Sequence, residues 1–529
     1  MELEQLEPET ATPRQVKQYL RDKFVIIASN RGPVEFRRTE NGSIRPFRGA
    51  GGVVTAMSTA LTATDAVWIS VARTKEDVLT AQAYPRRRIP MPLENPQYFV
   101  RFLITEKRDF HLYYNVVSNS VLWYLNHYML DLTGKPCFDE DFHLAWKEGY
   151  RKVNRLFAEE IVKEIKAQDK KPLVFLQDYH LYLCASYIRN RLPDVLIHHF
   201  THSPWVGPDY LKFLPSPFRR ELLEGMLACD VVGFHTSHYA ENFLRCCAES
   251  DVLHLKVDIR KRMVEREGHR TLVRHYPISI DHEALKKLST RPEVEQHRQR
   301  LRKLAGNRKI LLRVDRVEPT KNIPRGLKAY RAFLRRYPEW HEKVVFFHLL
   351  YPSRQDLHEY RNLRREIEEE AHSINREFGT LEWDPVHLEI EDNYLRSVAG
   401  LMEFDVLVVN PVMDGMNLVA KEGAILNQRD GVIILSTRAG AWGELKGAVI
   451  SINPLDVMEL AEAMRTALRM GEQRRKALSR RAREVVEANT SFRWFLLQMR
   501  ALQRAERERG REEPPDESMP PIPRYEHFD

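Results

Sequence analysis

Arg316 and Lys321 stand five positions apart, on either side of Pro319 and after the apolar run KILLRV. Two such cations can approach one diphosphate, the arginine with its planar fork and the lysine as a point charge. The rival reading is exposed surface charge. A denser cluster runs from Asn410 to Glu422, NPVMDGMNLVAKE, again after an apolar stretch and into a helix. Consecutive backbone N–H groups at a helix start suit a diphosphate or a leaving oxygen. Asp414 can bind a sugar hydroxyl there, with Gly415, Met416, Asn417 and Leu418 supplying the loop. Glu422, two turns into the motif, can accept from ribose hydroxyls.

Four other places also follow apolar runs. Gln177-Asp178-Tyr179-His180 offers a carboxylate and an imidazole for two sugar hydroxyls; a helix N-cap is the competing use of Asp178. His198, His199 and His202 fall within five residues, but the first two lie in a strand and point to opposite faces, so the spacing does not favour a metal. His202, past the strand, suits either a substrate hydrogen bond or a structural one. Ser29-Asn30-Arg31, with Gly49, Gly51 and Gly52 further on, places an arginine near a flexible loop; the glycines serve equally for a tight turn, because the full dinucleotide fingerprint is absent. Pro352-Ser353-Arg354 adds a hydroxyl and a cation.

Strands must carry these groups. Apolar runs at 24–29, 67–71, 172–177, 195–200 and 230–234, then 309–314, 344–350, 406–411 and 431–436, read as buried parallel strands separated by helical sequence. In residues 142–167, Ala145, Tyr150, Val153, Phe157 and Ile161 recur at helical steps. Asn41-Gly42 marks a hairpin, and the charged stretch 256–274 reads as a hairpin in a surface connection. The alternation of strand and helix gives an α/β class with two Rossmann-like lobes facing one another across a cleft. The expected division is an extension over 1–22, lobes over 23–275 and 276–475, helices over 476–509 that pack back across the lobes, and a charged, proline-rich, disordered tail over 510–529.

The chain has 529 residues, 43% apolar and 29% charged, with a net charge of +8. That size favours two domains. Five cysteines without a CxxC pair make disulfides and structural zinc poor readings. The acidic, polar start and the lack of a long apolar run predict a cytoplasmic protein with no membrane partner. No zinc-finger or helix-turn-helix pattern points to nucleic acid. A homo-oligomer stays open.

Together the six places, with Tyr113-Tyr114-Asn115, Ser118-Asn119, Trp123 and His127-Tyr128, resemble the trehalose-6-phosphate synthase family of retaining glycosyltransferases, glycosyltransferase family 20, over about residues 23–500. DGMNLVAKE is a highly specific match; GG or DYH alone is weak. The resemblance implies the GT-B fold. It implies Arg31, Tyr114 and Arg354 on the phosphate of an acceptor, with Trp123 and Asp178 at its sugar. It also implies Gly52 and His202 beside the donor glucose, Arg316 and Lys321 on the donor diphosphate, Asp414 to Leu418 around the transferred sugar and Glu422 on the ribose. His202, Asp178, Arg316, Lys321 and Asp414 are the residues it makes catalytic.

One stretch departs. The synthases read close to RLDYSKG where this chain has Arg316-Val317-Glu318-Pro319-Thr320-Lys321-Asn322, and Asn322 resembles relatives that make validoxylamine phosphate. The intact DGMNL argues for a genuine glucosyl donor. The expected reaction takes glucose from a nucleoside-diphosphate glucose to glucose 6-phosphate, with UDP-glucose first and GDP- or ADP-glucose next, and requires no cofactor or metal. Glucosylglycerol-phosphate synthase, a validoxylamine-phosphate synthase-like enzyme and a phosphosugar-binding regulator are the alternatives. The resemblance places the base against backbone groups of the second lobe near residues 383–390, where Trp383, Val386, Leu388 and Ile390 are expected to line a slot.

Overall fold

The computed structural model describes residues 15, 16, 18, 20–48, 66–134 and 136–509. The glycine cluster with Gly52 and the segment from 510 onward lie outside them. The chain divides into two compact units: described residues up to 276 with 496–509 form the first, and 277–495 the second.

The strands of the first unit are β1 (Lys23–Ala28), β2 (Val34–Arg38), β3 (Ile44–Arg48), β4 (Val67–Val71), β5 (Arg88–Met91), β6 (Tyr98–Leu103), β7 (Lys171–Gln177), β8 (Leu196–Phe200), β9 (Val231–Phe234), β10 (Lys256–Asp258), β11 (Met263–Arg266) and β12 (His269–His275). Ten of them make one sheet in the order β10-β11-β12-β9-β8-β7-β1-β4-β6-β5, parallel from β12 to β6. The apolar runs form this centre because both faces are covered: every residue of β4, β8 and β9 is buried. A buried Val, Leu, Ile or Phe side chain contributes about 1.5–3 kcal/mol each, so the runs themselves drive the sheet's assembly. β2 and β3 make the hairpin expected at Asn41-Gly42, and Gly42 takes a left-handed φ of 82°.

The 256–274 stretch differs from expectation. It forms three strands, and β12 pairs in parallel with β9, Leu272 opposite Val231, so the segment extends the main sheet. The cause is local: Leu272 and Val273 are apolar and buried, so β12 has a face to cover.

Helical sequence at 140–166 is continuous through a wide π-helical stretch, Ala145–Arg151, and packs on another, His111–Leu122. Ala145, Tyr150, Val153, Phe157 and Ile161 all face the core. Gly149 permits the approach of the two stretches: a Cβ there would lie 2.6 Å from the Tyr113 nitrogen. This contact fixes the segment that carries Tyr114.

In the second unit β13 (Lys309–Arg316), β14 (Val344–Tyr351), β15 (Val386–Ile390), β16 (Val406–Val409), β17 (Val432–Ser436) and β18 (Ile450–Ile452) form an all-parallel sheet in the order β15-β14-β13-β16-β17-β18. Numbered within the unit, this is 3-2-1-4-5-6, the doubly wound order. Helices at Val457–Arg469, Glu472–Glu487 and Ser491–Glu508 account for the long helical C-terminal pattern. Among the described residues no helix is long and apolar enough to cross a membrane.

Candidate active site

Ligands of a doubly wound sheet collect beyond the carboxyl ends of the strands, where the strand order reverses. In the second unit that point lies between β13 and β16. Arg316 ends β13, Lys321 follows in a 3-10 turn, and the loop from Asn410 to Asn417 follows β16. The loop is anchored on its carbonyl side: the Asp414 and Met416 oxygens accept from the Gly440 and Ala441 amides at 3.1 and 2.8 Å. A Cβ at Gly440 would stand 2.0 Å from the Gly415 oxygen, so this approach requires glycine. Asn417, in a left-handed conformation, caps the helix Leu418–Leu426 through the Ala420 amide. Among the described residues no protein acceptor takes the amides of Gly415, Met416, Asn417 and Leu418. Four successive backbone donors without a protein acceptor thus lead into the positive end of a helix.

The cations beside them are held in pairs. Lys321 Nζ lies 2.5 Å from Asp414 Oδ2, which also accepts from Asn417 Nδ2 at 3.1 Å. Burial opposes its charge, but Asp414 and Asp315 outweigh burial and keep the ammonium above its ordinary range. Arg316 is exposed and pairs with Glu318 at 3.1 Å. Burial works to raise the Glu318 carboxyl, yet Arg316, Arg354 and Lys321, with the Ser353 hydroxyl, hold it down at about 2. Arg354 donates to the Tyr360 hydroxyl and lies over that ring. Glu422 is half-buried, accepts from the Tyr394 hydroxyl at 3.1 Å, and is pushed up to about 7 by desolvation against that hydrogen bond.

Beneath this surface lies Arg313, fully buried on β13. It donates to Asp315 Oδ2 at 3.1 Å, to the Lys321 carbonyl at 2.9 Å and to Asn410 Oδ1. One guanidinium thereby ties the β13 loop to the β16 loop. Gly326 makes room, since a Cβ there would lie 2.7 Å from Arg313 Nη2. Asn322 is buried as well. It adopts φ 58°, ψ 34°, and its Nδ2 donates to the Asn410 and Pro454 carbonyls at 3.0 and 2.7 Å. Asparagine tolerates this left-handed position that glycine otherwise fills.

In the first unit the strand order reverses between β1 and β7. Arg31 is exposed just past β1, where the Ser29 hydroxyl donates to its carbonyl at 2.6 Å. Asp178 follows β7 with φ 70° and ψ 172°, a strained conformation for any residue but glycine. Its carboxylate does not cap the next turn; it accepts the His202 and Ser203 amides at 3.1 and 3.3 Å, joining the β7 and β8 loops. The His202 ring lies 2.9 Å from Gln177 Oε1 through Nε2. Desolvation, with His235 and His199 adding to it, holds this imidazole well below its ordinary range and therefore neutral.

Tyr114 stacks between Phe110 and His180, at 5.1 and 5.8 Å, with the Arg73 guanidinium 5.4 Å from its ring centre. Trp123 is buried against His127. Arg31, Tyr114, Trp123, Asp178 and His202 thus belong to the first unit, and Arg316, Lys321, Arg354, Asp414–Leu418 and Glu422 to the second. Gly52 lies outside the described residues. Among those residues no cluster of three metal-ligating side chains occurs.

The model of the family described as glycosyltransferase family 20 matches residues 23–504. The chain belongs to glycosyltransferase family 20. One similar member is an alpha,alpha-trehalose-phosphate synthase [UDP-forming] of Schizosaccharomyces pombe, 35% identical over 484 residues that cover 89% of this chain and 88% of the relative. Two solved structures are also similar. One, an alpha,alpha-trehalose-phosphate synthase (UDP-forming) from Burkholderia xenovorans in complex with glucose-6-phosphate, is 26% identical with a TM-score of 0.76, covering 91% of this chain and 100% of that one. The other, from E. coli and bound with UDP-2-fluoro glucose, is 26% identical with a TM-score of 0.76, covering 91% and 99%. The two sheets are those of the GT-B fold.

Within this family 20 chain the sequence singles out neither Arg313 nor Arg73, and Gln177, though named beside Asp178, receives no role from it. Arg313 carries a signal, a charge inside the apolar stretch ILLRV of residues 310–314, and Gln177 carries one in its place at the end of β7; Arg73 has none. The base slot needs correction at Trp383. Its indole donates to the Val344 carbonyl at 2.6 Å, at the first residue of β14, and Trp383 itself precedes β15. It therefore lies at the amino ends of the strands, in the core, opposite the ends that carry the site.

Proposed function

We propose that this family 20 glycosyltransferase moves glucose from UDP-glucose to glucose 6-phosphate, giving trehalose 6-phosphate and UDP in the cytoplasm. The observation that carries the reading is the row of amides at 415–418 beside Lys321, a diphosphate site at the strand-order reversal. UDP is preferred to GDP and ADP because the similar synthase of S. pombe is UDP-forming. The complexes of similar proteins with UDP-2-fluoro glucose and glucose-6-phosphate support the same donor and acceptor. The place of Asn322, buried with its amide on two carbonyls, supports a structural role for that residue rather than a changed donor.

In this proposal Arg316, Lys321 and the four amides bind the diphosphate, Glu422 the ribose, and Asp414 and His202 the transferred glucose. Arg31, Tyr114 and Arg354 take the acceptor phosphate, and Trp123 and Asp178 its sugar. The acceptor's anomeric hydroxyl attacks glucose C1 on the face from which UDP leaves. The C1–O bond to UDP breaks as the new C1–O bond forms, and the hydroxyl proton passes to the departing phosphate oxygen. Charge grows on that phosphate, and in this proposal Lys321 and the amides receive it, which is electrostatic stabilisation by groups already in place. Asp414 and Glu318 hold the two cations in place beforehand. His202, being neutral, orients a hydroxyl without adding charge.

The pairing of two cations with a helix end supplies the neutralisation that a divalent metal supplies elsewhere, so the proposed reaction survives EDTA. The deciding experiment crosses UDP-, GDP- and ADP-glucose with glucose 6-phosphate and glycerol 3-phosphate and measures nucleotide release and glycoside phosphate. Turnover with UDP-glucose and glucose 6-phosphate is expected. Turnover with glycerol 3-phosphate alone would overturn the acceptor.

A further inference from the structure

The first unit contains a cation-lined cavity that the proposed reaction does not use. Its volume is about 300 Å³, and its walls include Arg86, Arg87, Arg88, Arg101, Lys163 and Glu164. It is built by the edge strand β5, its neighbour β6 and the last turns of the helix Lys152–Lys166. The proposed substrate residues of this unit instead follow β1, β7 and β8 or lie in the 111–126 helix.

The carboxylates at the cavity are already engaged. Glu164, almost fully buried, accepts from Arg88 Nε at 2.8 Å and Arg101 Nη1 at 2.5 Å. Glu160, beside it, takes Arg101 Nη2 and, at 2.8 Å, Lys163 Nζ. Five cations against these two carboxylates leave an excess of three positive charges. Arg86 and Arg87 are exposed and, among the described residues, pair with no carboxylate. Both stand at left-handed φ, 53° and 56°. The Arg87 amide donates to the Tyr84 carbonyl at 3.0 Å, so Pro85-Arg86 form the middle of a turn whose third position ordinarily takes glycine or asparagine. Backbone preference thus does not account for arginine here.

We propose that this cavity binds a small phosphate-bearing anion, with Arg86 and Arg87 as its forked donors and the anchored Arg88 and Arg101 as its floor. Planar guanidinium forks match phosphate oxygens. A volume at the lower end of ligand pockets fits pyrophosphate or a monosaccharide phosphate rather than a nucleotide sugar. The site is independent of the transferase reading.

The test is calorimetric titration of the full chain, saturated with UDP, by pyrophosphate and separately by glucose 6-phosphate. The comparison is Arg86→Gly/Arg87→Gly, which relaxes both left-handed residues and so protects folding. The wild type is expected to show one binding event more than the double variant, or one at least tenfold tighter, with UDP affinity and melting temperature in plain buffer not reduced in the variant. An Arg86→Lys/Arg87→Lys variant keeps the charge, loses the forks and falls between. Displacement of pyrophosphate from the added site by glucose 6-phosphate assigns it to sugar phosphates; lack of displacement assigns it to inorganic phosphates. Equal stoichiometry and affinity in wild type and the glycine variant, for both probes, would overturn the proposal.

Discussion

Replacing Arg313 by methionine isolates the buried group that ties the loops after β13 and β16 together. The substitution keeps an unbranched side chain but removes the donors to Asp315, to the Lys321 carbonyl and to Asn410, all of them buried or nearly so. Breaking a buried charge pair from one side costs about 3–5 kcal/mol, because the remaining charge stays desolvated. The loss has a pH signature. Burial already pushes the Asp315 carboxyl up to about 6, against Lys321 and Arg313, from an ordinary value near 3.8. A carboxyl raised on folding destabilises progressively as pH climbs from its unfolded to its folded value and fully above it. Without Arg313 the folded value rises further, so Arg313→Met is expected to lose most stability at pH 8 and less at pH 5, where Asp315 is protonated. Urea unfolding of the full chain at both pH values, read by midpoint and slope together, measures this. Gly326 completes the experiment: Gly326→Ala crowds Nη2 in the wild type, an overpacking cost of about 1–3 kcal/mol, and is expected to cost less in the Arg313→Met background, where that nitrogen is gone. Equal losses at pH 5 and pH 8, or an additive double variant, would refute the role assigned to this network.

Three further outcomes are expected. Arg354→Ala weakens glucose 6-phosphate far more than UDP, and equal losses measured by calorimetry would unseat it from the acceptor phosphate. Because desolvation puts the Glu422 carboxyl at about 7, it is ionised above that pH and protonated below; the donor KM therefore rises as pH falls from 8 to 6, and Glu422→Gln flattens the profile. Asn322→Gly keeps the left-handed turn but abandons two buried carbonyls, at about 1–3 kcal/mol; the melting temperature falls while UDP remains the preferred leaving group, and a switch of donor would restore the residue to the site.

The strands and the loops after them were legible because both follow from the same physics. A strand covered on both faces is built mainly of apolar residues, as in β4, β9 and β17, and its carboxyl end is where a doubly wound sheet leaves polar loops free to bind. That reasoning reached Arg316, Lys321 and the 410–422 motif from sequence. The base slot at Trp383 came instead from the family resemblance, and it fails there because a resemblance to a segment carries no direction, whereas the parallel pairing of β14 with β15 places that ring at the amino ends. The strand-end reasoning was silent on Arg313 because the partners that give the residue meaning, Gly326 and Asn410, lie 13 and 97 positions away. Asp178 illustrates a different gap. Its residue type fitted both a cap and a ligand, and what separates them is a backbone angle: at φ 70° the carboxylate turns from its own helix to the β8 loop and gathers the His202 and Ser203 amides. The same angle logic applies to Asn322. Asparagine where the synthases read glycine looks like altered chemistry in one dimension, yet Asn322 stands at φ 58°, in the left-handed region that glycine favours, and spends its amide on two backbone carbonyls, so a place in the loop's own structure accounts for it.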